Sequence, residues 1–108
     1  MSDIEKQWFE LYLDLVEENK LLFTYTFLDD YVGLEEFVII YLTKVDDKFV
    51  EVVKYDFSEK EKLHVHYFYP KNPRKVFLDL EVNVGLLMQL EVELTQNWRK
   101  HLLKFKNE

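Results

Sequence analysis

His64-Val65-His66 places two imidazoles two residues apart in a segment that alternates like a β-strand, so both rings should leave one face of a sheet. Imidazole changes charge near neutral pH and is a common metal ligand, which makes this pair the part of the chain best equipped for chemistry. Asp56 lies eight residues before His64, at the end of another alternating segment. A hairpin between the two segments would set that carboxylate beside His64, with Cβ atoms ~4.5–5.5 Å apart. A carboxylate there favours imidazolium, whereas burial opposes it.

Three readings of Asp56, His64 and His66 stand side by side. In the plainest, they are half-exposed strand residues forming an ordinary polar pair. In a metal reading, His64 and His66 supply two ligands, Asp56 a third and water a fourth. In an acid–base reading, Asp56 orients His64, and His64 or His66 moves a proton in a hydrolytic or ribonuclease-like reaction. Lys71 and Arg74, in a basic stretch that includes Lys75, are the candidate phosphate or partner contacts. No residue pattern calls for a cofactor.

The elements that must position these groups follow from periodicity. Ser2-Asp3-Ile4-Glu5 reads as a capping box. Ile4, Trp8, Leu11 and Leu15 then recur at helical spacing, widened by Phe9, Tyr12, Leu13 and Val16, which predicts a first helix ending near Asn19. Residues 21–28, 36–45, 48–57 and 63–69 alternate and are rich in aromatic and β-branched side chains, so they read as strands. Asp29 to Gly33 supplies one connection, Asp46-Asp47-Lys48 a hairpin tip, and 58–62 a charged turn. Residues 76–81 offer a fifth strand after Pro70 and Pro73. Asn83 is a plausible N-cap for the clearest helix, on which Leu87, Leu90, Leu94, Trp98, Leu102 and Phe105 follow at spacings of three and four. The expected class is α+β in a single domain: an N-terminal helix, a four- to five-stranded antiparallel β-meander and a long C-terminal helix.

Strand parity then sorts the faces. With a three-residue tip at 46–48, Val45 faces Phe49, and Phe37, Ile39, Tyr41, Val45, Phe49, Val53, Tyr55 and Phe57 share the core side. A turn centred on Lys60 adds Leu63, Val65, Tyr67 and Tyr69 to them. Large apolar groups gain ~1.5–3 kcal/mol each on burial, so a one-residue slip is strongly opposed. The other face carries Val38, Ile40, Leu42, Val50 and Val52 at one end, and Lys54, Asp56, His64, His66 and Phe68 at the other. That apolar end is too large to leave wet unless the first helix or a second chain covers it, which favours a homodimer or another protein partner.

Composition narrows the classes. Aromatics make up 17% of the 108 residues, enough to expect a folded core rather than a disordered chain. The absence of cysteine excludes disulfides and thiol chemistry and suits a reducing compartment. No uncharged apolar run approaches the ~20 residues of a membrane span, and the N-terminus lacks the pattern of a secretory signal. A cytoplasmic protein without membrane contact is expected. The net charge of −7 disfavours nucleic acid, although a local basic patch could still meet phosphate. Arg99, Lys100 and His101, with Lys104 and Lys106, read chiefly as cations complementing a helix C-terminus.

The hairpin of residues 37–56 ending in Tyr55-Asp56, the polar turn, the His-bearing strand and the C-terminal helix with Trp98 near its end together resemble small prokaryotic domains that include the TumE-type toxins of toxin–antitoxin systems. The resemblance spans residues 37–105, about two-thirds of the chain. Such domains usually carry an Asn-Ala-Pro/Gly-His type of turn after Tyr-Asp, where this chain has Phe57-Ser58-Glu59-Lys60-Glu61-Lys62. The resemblance implies a small cytoplasmic module working with a protein partner, with Asp56, His64 and His66 at the matching positions. Two functions follow for testing: an interaction module of this kind, and a small hydrolase or ribonuclease built on the Asp/His/His patch.

Overall fold

A computed structural model describes residues 6–27 and 33–107. Six strands form one antiparallel sheet in chain order: β1 (Gln7–Tyr12), β2 (Asn19–Phe27), β3 (Leu34–Val45), β4 (Lys48–Phe57), β5 (His64–Tyr67) and β6 (Arg74–Phe77). One helix, α1 (Val84–Asn107), follows and packs across β3 and β4.

The expected N-terminal helix is not there, and the sheet has six strands rather than four or five. Residues 7–12 pair with β2 from Gln7↔Tyr25 to Tyr12↔Lys20. Trp, Phe, Leu and Tyr in QWFELY satisfy a helical stripe and a strand about equally, so partners decide. Phe9 stacks on Phe23 and Tyr25 at ring separations of 5.5 and 5.7 Å, contacts that a separate helix would forgo. Tertiary pairing overrides local periodicity here. The expected capping box, Ser2 to Glu5, lies outside the described residues, as does most of the Asp29–Gly33 connection.

Asn19, expected to end a helix, instead opens β2. Asp14 closes the preceding turn: Oδ1 accepts from the Glu18 and Asn19 amides at 3.0 and 3.2 Å, and Oδ2 from Asn19 Nδ2 at 2.8 Å. Asn19 Oδ1 in turn accepts from the buried hydroxyls of Tyr41 (2.5 Å) and Thr43 (2.8 Å). Burial acts to raise the Asp14 pKa, but the hydrogen bonds from Asn19 and Glu18 outweigh it and hold the carboxyl below its usual value.

The β3–β4 hairpin reaches the expected register by another route. Its tip has two residues, Asp46 and Asp47, both left-handed at φ 51° and 65°, the geometry that suits a tight hairpin. Val45 therefore meets Lys48, not Phe49. A bulge at Val52 then adds one residue, so Tyr41↔Val53, Ile39↔Tyr55 and Phe37↔Phe57 pair as expected. Phe49 moves to the opposite face, across from Lys44, where the Lys20 ammonium lies 4.0 Å from its ring centroid. Val45 is substantially exposed, Val50 sits opposite Thr43, and Val52 is fully buried.

Phe37, Ile39, Tyr41, Val53, Tyr55, Leu63, Val65 and Tyr69 form the inner face with Leu86, Leu87, Leu90, Leu94 and Trp98 of α1. Asn83 caps the helix as the spacing predicts, accepting the Leu86 amide at 2.8 Å. Gly85 leaves room for that cap, since a Cβ there would stand 3.2 Å from Asn83 Oδ1. β6 falls two residues earlier than the expected 76–81 strand. No described helix packs on the outer face, where Val38, Ile40 and Leu42 are half-buried among their sheet neighbours and Trp8 is 64% exposed.

Candidate functional site

The cross-strand pairs expected from parity are present: Asp56 lies opposite His64 and Lys54 opposite His66. On the far side of β5, His64 meets Phe77 and His66 meets Lys75. Asp56, His64 and His66 thus occupy one patch of the outer face. The two imidazoles stand edge to face at 4.8 Å, and His66 stacks on Phe68 at 5.6 Å.

The two histidines differ in what they can do. His64 is 1% exposed. Its Nδ1 is 2.8 Å from the Lys62 carbonyl, which only accepts, so Nδ1 carries a proton and donates. Its Nε2 is 3.8 Å from Asp56 Oδ2, an electrostatic contact too long for a hydrogen bond. Glu61 approaches Nδ1 to 3.7 Å and also pairs with Lys75, closing the 58–62 turn over the ring. His64 is walled in and suited to holding its neighbours. His66 remains half-exposed. Burial, then the neighbouring His64 and Lys54, push its pKa below the ordinary value of 6.5, while Asp56 and Glu51 oppose the shift.

That shift has a sign that can be tested. A base that binds protons less well when folded lends its full stability above the unfolded pKa of 6.5 and loses it as pH falls through the lower folded value. His66→Gln should therefore flatten the acid side of the stability profile between pH 6.5 and the carboxylate range, read as urea midpoints. Parallel profiles for both proteins would show that His66 is not depressed.

The candidate phosphate contacts lie elsewhere. Arg74 is the ladder partner of Tyr67, on the helix-bearing face, and its guanidinium covers the rings of Tyr67 (4.5 Å) and Tyr69 (5.7 Å). Lys71 sits in the exposed turn closed by the Asn72 amide on the Tyr69 carbonyl. Lys75 and Lys54 flank His66 on its two neighbouring strands. Among the described residues, no group of three His, Asp or Glu side chains is arranged to hold a metal ion.

A second polar constellation lies between α1 and the sheet, and the sequence reading missed it. Glu93 Oε2 accepts from the Tyr55 hydroxyl at 3.2 Å, and Glu93 Oε1 is 2.9 Å from His101 Nε2. His101 Nδ1 is 2.8 Å from the Tyr69 hydroxyl. A carboxylate only accepts, so His101 Nε2–H donates to Glu93, and with the ring neutral Nδ1 accepts from Tyr69. Burial, then the Glu93 charge, push the Tyr55 phenol well above its usual pKa. Hydroxyl, imidazole and carboxylate in a row resemble a nucleophile relay. Tyr69, however, is 1% exposed, so the row clamps the helix to the sheet rather than meeting a substrate. Its sequence signal was the eight-residue spacing of Glu93 and His101, about two helical turns.

The sheet edge beside β2 is also distinctive. All six residues of β1 are exposed, with Trp8, Phe9, Leu11 and Tyr12 between 40% and 64%. The Leu13 amide donates to the Asn19 carbonyl at 2.8 Å. Ladder alternation from that bond commits the odd-numbered β1 residues to β2 and turns the N–H and C=O groups of Trp8, Glu10 and Tyr12 outward. The opposite edge is blunted: β6 has four residues, follows Pro73 and carries Arg74 and Lys75.

Comparisons with known proteins add membership but no activity. No curated protein and no solved structure matches the chain, and nothing found connects it with TumE-type toxins. A family model described as a domain of unknown function, DUF7718, matches residues 2–108, and the chain belongs to that family.

Proposed function

We propose that this chain is a protein-interaction module whose docking surface is the β1 edge with the adjoining outer face. The observation that carries this reading is the difference between the two sheet edges. Natural sheets shorten, charge or cover their edges because unpaired N–H and C=O groups template strand addition. β6 shows those devices, whereas β1 presents six exposed residues of which four, Trp8, Phe9, Leu11 and Tyr12, are aromatic or aliphatic. A toxin–antitoxin pair, as the resemblance over 37–105 implies, would be one form of such partnership. We place the module in the cytoplasm, where a chain lacking cysteine needs no oxidising environment. No described helix is long and apolar enough to cross a membrane.

A small hydrolase or ribonuclease using Asp56, His64 and His66 is the weaker reading. In its favour, His66 is half-exposed and burial holds its proton affinity below the ordinary value. Against it, His64 is sealed, and Lys71 and Arg74 stand apart from the patch.

A photo-crosslinking amino acid placed at Trp8 tests the main reading in cells, with Val92 on the exposed side of α1 as control. Discrete adducts from position 8 alone are expected. Equal labelling from both positions, or none from position 8, overturns the docking surface.

A further inference from the structure

The outward groups of β1 specify more than an edge, because only some partners can pair with them in register. We propose that β1 pairs antiparallel with β1 of a second copy of this chain, about a two-fold axis at Phe9, joining two six-stranded sheets into one. The proposal rests on the reading of β1 as the docking surface.

Charge selects the occupant. The only formally charged residue of β1 is Glu10, and Lys20 already matches it at 3.4 Å. Lys6, next to the strand, is matched by Glu36 at 3.6 Å. Among the described residues the edge is locally neutral, so a strongly acidic or basic strand would find no complement along β1. The net charge of −7 is spread over the whole molecule, and exposed charges separated by more than ~8 Å are largely screened at physiological salt.

Register follows from parity. A two-fold axis perpendicular to the sheet keeps each face on its own side, so paired residues must share odd or even numbering. Centring on Glu10 would set two carboxylates directly opposite, which is destabilising. Centring on Phe9 opposes Phe9 to Phe9, Trp8 to Glu10 and Gln7 to Leu11. Trp8 and Glu10 then exchange their outward N–H and C=O groups, and the indole N–H comes beside a carboxylate. The two Phe9 side chains meet at a non-hydrogen-bonded position, where opposing Cα atoms approach to ~4.5 Å. Each Phe9 extends its own stack of Phe9, Phe23 and Tyr25.

Single substitutions test this without opening the fold. Glu10→Pro removes an amide that faces away from β2, so it should abolish pairing while leaving far-UV circular dichroism unchanged. Sedimentation equilibrium of the intact chain up to about 200 μM should show dimer for the parent and monomer for this variant, a range that reaches weak micromolar association. Because the chain has no cysteine, single substitutions report register directly. Oxidation of Phe9→Cys should give covalent dimer at least ~10-fold faster than the exposed helix control Met88→Cys, since opposed positions share a high effective concentration. Faster cross-linking of Glu10→Cys would overturn the register. A parent that stays monomeric throughout would overturn self-pairing. Adducts from position 8 to other proteins, with no dimer, would leave the docking surface standing and remove the second copy as its occupant.

Discussion

Asn19→Ala is expected to cost about 3 kcal/mol of folding stability, a large share of what a domain of this size possesses. The truncated side chain removes the acceptor of the buried Tyr41 hydroxyl and the nearer of two acceptors of the buried Thr43 hydroxyl, which keeps only the Glu18 carbonyl at 3.5 Å. It also removes one donor to Asp14. The cost comes from stranding polar groups rather than from lost apolar area, and a double variant separates the two. Tyr41→Phe alone deletes one hydroxyl and leaves Asn19 bonded to Thr43 and Asp14, costing about 1 kcal/mol. Added to Asn19→Ala, the same change should cost less than it does alone, because the hydroxyl it removes has already lost its Asn19 acceptor and keeps only Thr43 beside it. Urea unfolding of the four proteins gives the coupling energy. Additive losses, or an Asn19→Ala loss below about 1 kcal/mol, would mean that the network contributes little. Acid should weaken the same corner: the Asp14 carboxyl is held below its usual 3.8, so its contribution is present above that pH and fades as pH falls through the lowered value.

Asn19 also shows where sequence reading stopped. Asparagine at the end of an apolar helical stripe is a sound helix stop, yet the same residue can organise a turn between strands. The choice depended on whether Phe9 would find Phe23 and Tyr25, a pairing that periodicity within one segment does not contain. Alternation and turn length were enough where two segments were joined by a short loop. The Asp56–His64 and Lys54–His66 pairs came from parity about Lys60 alone. The β3–β4 core register matches the expected one although the tip is one residue shorter than expected, because the bulge at Val52 restores the count. Phe49 fell in the section between tip and bulge and therefore changed sides. Burial was the harder quantity. Parity put both histidines on one face, but nothing in the sequence announced that Glu61 and Lys75 would close over His64 and leave His66 in the open. The Glu93–His101 clamp was hidden for a related reason: its partners, Tyr55 and Tyr69, are 38 and 32 residues away.

That clamp gives a second large effect with an unusual signature. Glu93→Leu should cost about 1–2 kcal/mol, because the Tyr55 hydroxyl and His101 Nε2–H both lose their acceptor in a part-buried site that water reaches only from the Glu93 side. Glu93→Gln should cost under about 1 kcal/mol, since an amide can still serve both neighbours. Its oxygen can accept from Tyr55 while its NH2 faces His101, and an NH2 group needs an acceptor there. The ring must then bare Nε2 and carry its proton on Nδ1, which donates to the Tyr69 oxygen. Ring nitrogen shifts measured by NMR above about pH 8, where an ordinary imidazole is neutral, should report the Nε2–H tautomer in the parent and the Nδ1–H tautomer in Glu93→Gln. An unchanged tautomer would mean that the amide instead turns its oxygen to His101 and its NH2 to the Tyr55 oxygen. A full reversal with stability retained would show that the helix is held by matched donors and acceptors rather than by charge. The clamp acts on the inner face only. If it holds, α1 stays on β3 and β4 whatever binds at β1, and loss of the clamp should lower stability without changing adduct formation at Trp8.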